Sequence, residues 1–158
     1  MPFDPHGPRR TAITADIHGN SPALDAVARD IDGCGCSETY VLGDIINGMD
    51  PIGALSLVRG LPNPHCVKGN AELYLVTPDL GRMETLYTDP IVSATVRVIL
   101  WWRSRLSPAD LAEIEAMPDI FSIAGRCYIH DTLQDRSWNL DRSRYHSGIG
   151  RRSRLISF

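Results

Sequence analysis

Lysine is nearly missing from this chain: of 16 basic residues among 158, Lys68 is the sole lysine and the rest are arginine. Long apolar runs are missing too, so no segment reads as a membrane span. The opening Met1-Pro2-Phe3-Asp4 lacks the apolar stretch of a secretory signal, and a cytoplasmic location is the expectation. Aromatic residues are sparse at 7%, but hydrophobic residues reach 43% against 22% charged, which excludes a disordered or fibrous chain. Cysteine is scarce as well, and Cys34-Gly-Cys36 is too tight for a zinc knuckle, so Cys34, Cys36, Cys66 and Cys127 are expected as plain thiols. The length fits a single domain over 1–158.

Charge is present in near balance but unevenly spread. Arg136, Arg142, Arg144, Arg151, Arg152 and Arg154 stand against Asp141 alone from Arg136 onward, a net of +5 that leaves about −8 for the remainder of a chain at −3 overall. Such an Arg-rich tail (136–158) can contact nucleic acid or an acidic partner. Because arginine is the cation used throughout this chain, nucleic acid is not the expected partner, and neither is a membrane.

Thr11 to Ala15 reads as a short buried strand that runs into Asp16-Ile-His-Gly-Asn20. Ser21-Pro22 then signals a helix start, with Ser21 as the cap, and apolar residues follow at helical spacing until Gly33. Thr39 to Leu42 is a second strand ending at Gly43-Asp44, and Asp50-Pro51 opens a second helix closed by Gly60. His65 to Lys68 is a third strand, ending at Gly69-Asn70. The stretch from Pro90 to Leu106 is helical in period, and Ser107-Pro108-Ala-Asp110 caps a further helix through Met117. Ile120–Ile123, Gly125 and Cys127–His130 read as a hairpin. Strands alternating with helices across short connections imply βαβ units and a parallel sheet, in an α/β fold. In such sheets ligands bind outside the carboxyl ends of the strands, which is where the polar loops fall.

Those loops carry the candidate chemistry. Asp16-x-His18, Asp44 and Asn70 lie at intervals of 28 and 26 residues from Asp16 to Asp44 to Asn70, and His130 ends a later strand. Two carboxylates, two imidazoles and one amide oxygen suit Mn, Ni, Fe or Zn better than Ca or Mg. A carboxylate such as Asp44 can bridge two metals and so clamp both oxygens of a phosphoryl displacement. Read singly, each residue has a plainer role: Asp16, Asn20 and Asp44 as turn or cap residues, Asn70 as a cap, His130 as a surface histidine. His65 and His146 stand alone, Trp101-Trp102 read as core and lid packing rather than a base-stacking platform, and Glu72 reads as part of a solvated helix face rather than a general acid.

Asp16-Ile-His-Gly-Asn20, Gly43-Asp-Ile45, Gly69-Asn70 and the strand-terminal His130 together resemble the ordered blocks of calcineurin-like metallophosphoesterases, in their small bacterial phosphodiesterase branch. The resemblance covers about residues 11–130. It implies a β-sandwich flanked by helices, C-terminally shortened, and hydrolysis of phosphate esters by a metal-activated hydroxide. Asp16, His18 and Asp44 would hold one metal, with Asp44, Asn70 and His130 holding a second. Asp44 and His18 would be the catalytic residues, with Asn20 and Asn70 at the substrate.

Two departures qualify that expectation. The family's Gly-Asn-His block reads Gly69-Asn-Ala71-Glu72 here, so the phosphate-contacting imidazole is replaced, a change associated with preference for diesters. The closing Gly-His-x-His block is absent from the sequence, which leaves three protein ligands for each of one or two divalent transition metals. The alternative reading is a degenerate, non-catalytic binding or regulatory module, and a third is a shortened form of a longer gene. A sheet left short at its edge predicts a homo-oligomer, with Leu155 to Phe158 as a strand to donate and His146 as a replacement ligand.

Overall fold

The computed structural model describes residues 10–76, 90–123 and 125–130. The Arg-rich tail (136–158), with His146 and the Leu155–Phe158 end, lies outside the described residues. The first strand, β1 (Arg10–Thr14), leads through the Asp16–Asn20 loop into helix α1 (Ser21–Gly33). Strand β2 (Cys36–Val41), helix α2 (Pro51–Arg59), strand β3 (Pro64–Cys66) and helix α3 (Asn70–Val76) follow. Helices α4 (Pro90–Arg103) and α5 (Pro108–Ala116) precede a hairpin of β4 (Ile120–Ile123) and β5 (Arg126–Ile129).

The three early strands form one parallel sheet in the order β1-β2-β3, as the alternation predicts. Pairing runs Ala12 against Thr39 and Thr14 against Val41, then Thr39 against Pro64 and Val41 against Cys66. All three strands therefore end at the same edge, which sets their exit loops side by side. Strand β3 stops two residues short of the predicted Lys68, whose backbone N–H donates instead to the Pro118 carbonyl at 2.9 Å and ties this exit to the approach of the hairpin.

Local chemistry explains the helix starts. Asp50 caps α2 by accepting from the Gly53 N–H at 2.9 Å, and Pro51 follows where a missing donor costs nothing. Ser107 and Asp110 make a reciprocal capping box at α5. The cap of α1 is Asn20 rather than Ser21: Asn20 Oδ1 accepts from the Ala23 N–H, and Ser21 is already helical with its hydroxyl on Asp50 Oδ2 at 2.7 Å. An amide on the longer Asn side chain reaches the orphan donor from one residue further out.

Alternate residues of β2 serve two interiors. Val41 joins Leu24, Ile31, Leu55, Val58 and Ile114 in the main core beneath the helices. Tyr40 points the other way, where its ring meets Tyr128 at 4.4 Å, Phe121 at 5.4 Å and His65 at 5.3 Å. The antiparallel β4-β5 pair thus covers the face of β2–β3 opposite the main core, and His65 belongs to this packing. Among the described residues the strands form a three-stranded parallel sheet and a two-stranded antiparallel one. Trp102 is buried in the main core, while Trp101 is half exposed with the Arg105 guanidinium over its ring at 4.1 Å. The four cysteines are free thiols, and burial pushes the Cys66 thiol up to about 12. Among the described residues no helix is long and apolar enough to cross a membrane.

Candidate metal centre

The exit loops of β1 and β2 continue the parallel pairing past the ends of their strands. Asp16 N–H donates to the Gly43 carbonyl at 3.2 Å, His18 N–H to Asp44 at 2.8 Å and Gly19 N–H to Ile45 at 2.9 Å. To make these bonds while turning the side chains outward, Asp16, His18 and Asp44 adopt left-handed φ of 55°, 47° and 53°. Such conformations cost about 1–2 kcal/mol each for residues with a Cβ, so surrounding contacts must hold them. The third loop closes in through glycine. Gly43 has φ 80°, and a Cβ there would lie 2.3 Å from the Gly69 nitrogen; a Cβ on Gly69 would lie 2.1 Å from Asp44 Oδ1. Only a backbone without side chains brings these two loops into contact.

Ligand-type atoms of Asp16, His18 and Asp44 all lie within 4.8 Å of one another, the one such group among the described residues. His18 Nε2 is 3.7 Å from Asp16 Oδ1 and 3.6 Å from Asp44 Oδ2. His130 Nε2 stands 3.5 Å from the same Asp44 Oδ2. These separations exceed hydrogen-bond length. They approach the spacing of about 3.0–3.4 Å expected between two ligands that each bind one ion at about 2.1 Å. The donor set therefore fits a divalent transition metal, and both imidazoles also stand within ion-pair distance of Asp44.

Each partner is oriented before any ligand arrives. Asp44 is buried at 3% exposure, and its Oδ1 accepts from the Ala71 N–H at 2.9 Å, which leaves Oδ2 facing both imidazoles. His130 Nδ1 contacts the Leu42 carbonyl, which can only accept, so Nδ1 is the donor there and Nε2 is the nitrogen left to face Asp44 Oδ2. Asp16 and His18 are exposed, as ligands open to solvent must be.

The two amide residues hold different positions. Asn20 is exposed and caps α1 through Oδ1, which leaves its side-chain N–H2 to donate elsewhere. Asn70 is the first residue of α3 and half buried. Its neighbours on both sides are tied to the Asp44 loop: Gly69 N–H donates to Glu72 and Ala71 N–H to Asp44. Ala71 itself is buried and packs into the main core.

Glu72 overturns its expectation as a solvated residue. It is fully buried and accepts from the backbone N–H groups of Asp44 at 2.8 Å, Ile45 at 2.9 Å, Ile46 at 3.1 Å and Gly69 at 2.8 Å. Burial pushes its carboxyl above the ordinary range and the nearby Asp44 adds to that, while the N–H donors pull it back. A trace was present in the sequence. With Gly69 preceding the helix, Glu72 is its third residue, the position whose carboxylate reaches back to the first free N–H in a capping box.

No family model matches the chain. Over 108 residues it is 31% identical to an uncharacterized protein of Methanocaldococcus jannaschii, an alignment covering 68% of this chain and 41% of that protein. Among solved structures it is similar to the crystal structure of a metallophosphoesterase from Sphaerobacter thermophilus, with a TM-score of 0.53 and 24% identity over 74% of this chain. The chain spans 44% of that structure, so it corresponds to less than half of either protein. With that likeness and the strand-end cluster both in place, the chain has the fold of a metallophosphoesterase.

Proposed function

We propose that this chain is a metal-dependent phosphoesterase of the calcineurin-like type, hydrolysing phosphate esters with a preference for diesters. Asp16, His18 and Asp44 would hold one divalent transition metal (Mn, Ni, Fe or Zn), and Asp44, Asn70 and His130 a second. The observation that carries the reading is the position of Asp44 Oδ2, 3.6 Å from His18 Nε2 and 3.5 Å from His130 Nε2. When bound, such ions supply Lewis acidity, which lowers the pKa of a water and neutralises phosphate charge.

The chain's own residues supply orientation. Ala71 N–H and Leu42 C=O fix the directions of Asp44 Oδ2 and His130 Nε2, so the site is preorganised before substrate enters. Asn20 and Asn70 are proposed to contact the ester oxygens. With alanine at position 71, no imidazole from that position can hand a proton to a leaving group. That favours substrates with one phosphate charge and a good leaving group over monoester dianions.

Metal analysis of the purified protein tests the centre. Wild type should carry Mn, Ni, Fe or Zn, and Asp44→Ala should lose more of it than Asn70→Ala, because only Asp44 faces both clusters. Equal metal in wild type and Asp44→Ala would overturn the proposal. For the reaction, an aryl phosphodiester should be cleaved faster than the matching monoester. Alanine at position 71 also favours the second reading, a non-catalytic binding module, and metal uptake without turnover of either ester would select it.

Self-association belongs to the same reading. Strand β1 is an edge of its sheet among the described residues, and Ile13, paired with Tyr40, is 59% exposed on the face that the hairpin covers further along. We propose a homo-oligomer that covers it, and a monomer by light scattering at micromolar concentration would end that idea.

A further inference from the structure

The loop that presents Asp44 is built around an anion that comes from the protein itself. The N–H groups of Asp44, Ile45 and Ile46 are consecutive, and with the left-handed turn at Asp44 all three point to one carboxylate. Convergent backbone N–H groups of this kind form an anion-binding concavity, used in many proteins for a phosphate or another ligand. Here the Glu72 carboxylate fills it from beneath, sealed from water, and takes a further N–H from Gly69. Oε2 bridges Asp44 and Gly69 across the two loops, and Oε1 bridges Ile45 and Ile46 along one of them.

A carboxylate has acceptor sites for all four donors and brings no donor of its own that would conflict with them. An amide in the same place would turn N–H groups against N–H groups. The residue type is therefore specified by the pattern. The consequence reaches the site through Asp44. Its φ of 53° is unfavourable for a residue with a Cβ and must be held by surrounding contacts, one of which is its own N–H to Glu72. The Ala71 N–H that occupies Asp44 Oδ1 lies on the same helix as Glu72, one residue away.

We infer that Glu72 is the positioning residue of the metal centre, fixing the Asp44 loop so that Oδ2 lies between the two imidazoles. It touches neither metal nor substrate and acts through Asp44. The inference rests on the proposed metal centre and adds a residue to it that does not ligate.

Mn2+ titration calorimetry on the full-length chain tests the role, with wild type, Glu72→Gln, and Leu75→Ala as a control. Leu75 is buried on the same helix and packs in the main core, so its truncation destabilises while leaving the Glu72 carboxylate and its four N–H donors in place. Glu72→Gln should bind Mn2+ about 10–100-fold more weakly, the usual effect of removing a partner that orients a ligand. Leu75→Ala should bind with wild-type affinity once folded. If Glu72→Gln lowers the melting temperature but binds Mn2+ as wild type does, or if Leu75→Ala weakens binding equally, the positioning role is overturned.

Should Glu72→Gln fail to fold, amide hydrogen exchange on the metal-free wild type decides. The N–H groups of Asp44, Ile45, Ile46 and Gly69 should be protected, and exchange at unprotected rates would overturn the inference. Wild type that takes up no Mn2+ while those amides are protected would sink the metal centre itself, and the positioning role with it.

Discussion

Glu72 and Asp110 occupy the same local position and lead opposite lives. Each is the third residue of a short helix, and each carboxylate reaches back to the backbone N–H that precedes its helix: Glu72 to Gly69 at 2.8 Å, Asp110 to Ser107 at 3.0 Å. Asp110 lies near the surface, takes the Ser107 hydroxyl and pairs with Arg59, and these partners hold its carboxyl well down, to about 2. Glu72 is buried, accepts from backbone N–H groups beside the neighbouring Asp44, and burial pushes its carboxyl up. The same capping grammar pins a helix in one place and a ligand-bearing loop in the other. What differs is where the strand before the helix ends. β3 delivers its helix to the strand-end edge where three loops meet, whereas α5 begins after a helix, with its first turn against Arg59 at the end of α2.

Glu72→Ala should give the largest effect. Four buried N–H groups would lose their acceptor, each unsatisfied donor being worth about 1–3 kcal/mol, with water entering the cavity to recover part. A loss of at least about 3 kcal/mol is expected in urea unfolding of the metal-free protein. A loss as small as that of an exposed cap, about 1 kcal/mol, would erase the distinction between the two carboxylates.

Gly69→Ala attacks the same edge without touching a charge. The added methyl would stand 2.1 Å from Asp44 Oδ1 and 2.4 Å from the Asp44 nitrogen, so the two loops must part. Overpacking of this kind costs about 1–3 kcal/mol, and here it should also weaken Mn2+ binding, since the displaced atoms belong to the bridging candidate. Alanine at Gly33, where an added Cβ meets nothing within 4 Å, should leave metal binding unchanged.

The sequence made the sheet and its strand-end loops legible because both depend on short-range regularities. Apolar strands, the Asp50-Pro51 and Ser107-Pro108 starts, and the stops at Gly33 and Gly60 are set by neighbours a few residues apart. The convergence of Asp16, His18 and Asp44 followed from that topology, since parallel strands in register must end together. The local capping position of Glu72 was legible, but its burial was hidden for the opposite reason. Its position on α3 is consistent with an exposed first turn, and only the approach of the Asp44 loop, 28 residues earlier in the chain, buries it. Tyr40 and Val41 show the same limit: both are apolar neighbours on β2, and which of them faces the helices depends on the hairpin that packs from residues 120–129.

The smallest effect should come from Asp110→Asn, and its pH dependence sharpens the comparison. Asparagine keeps an oxygen for the cap but loses the charge that Arg59 pairs with. A carboxylate held at about 2, below its unfolded value of 3.8, stabilises the fold wherever it is ionised in both states, that is above pH 4. As pH falls through about 2 the folded carboxylate takes up its proton and that contribution disappears. Wild type should therefore exceed Asp110→Asn by about 1 kcal/mol near pH 7, with the gap closing between pH 4 and pH 2. Because the Arg59 side chain is 43% exposed, added salt should narrow the gap at pH 7 as well. Thermal melts of both proteins across that range measure it, and Mn2+ affinity should be the same in both, because Asp110 has no contact with the Asp44 loop. A gap that stays constant from pH 7 down to pH 2 would mean that the cap geometry, and not the charge, does the stabilising at α5.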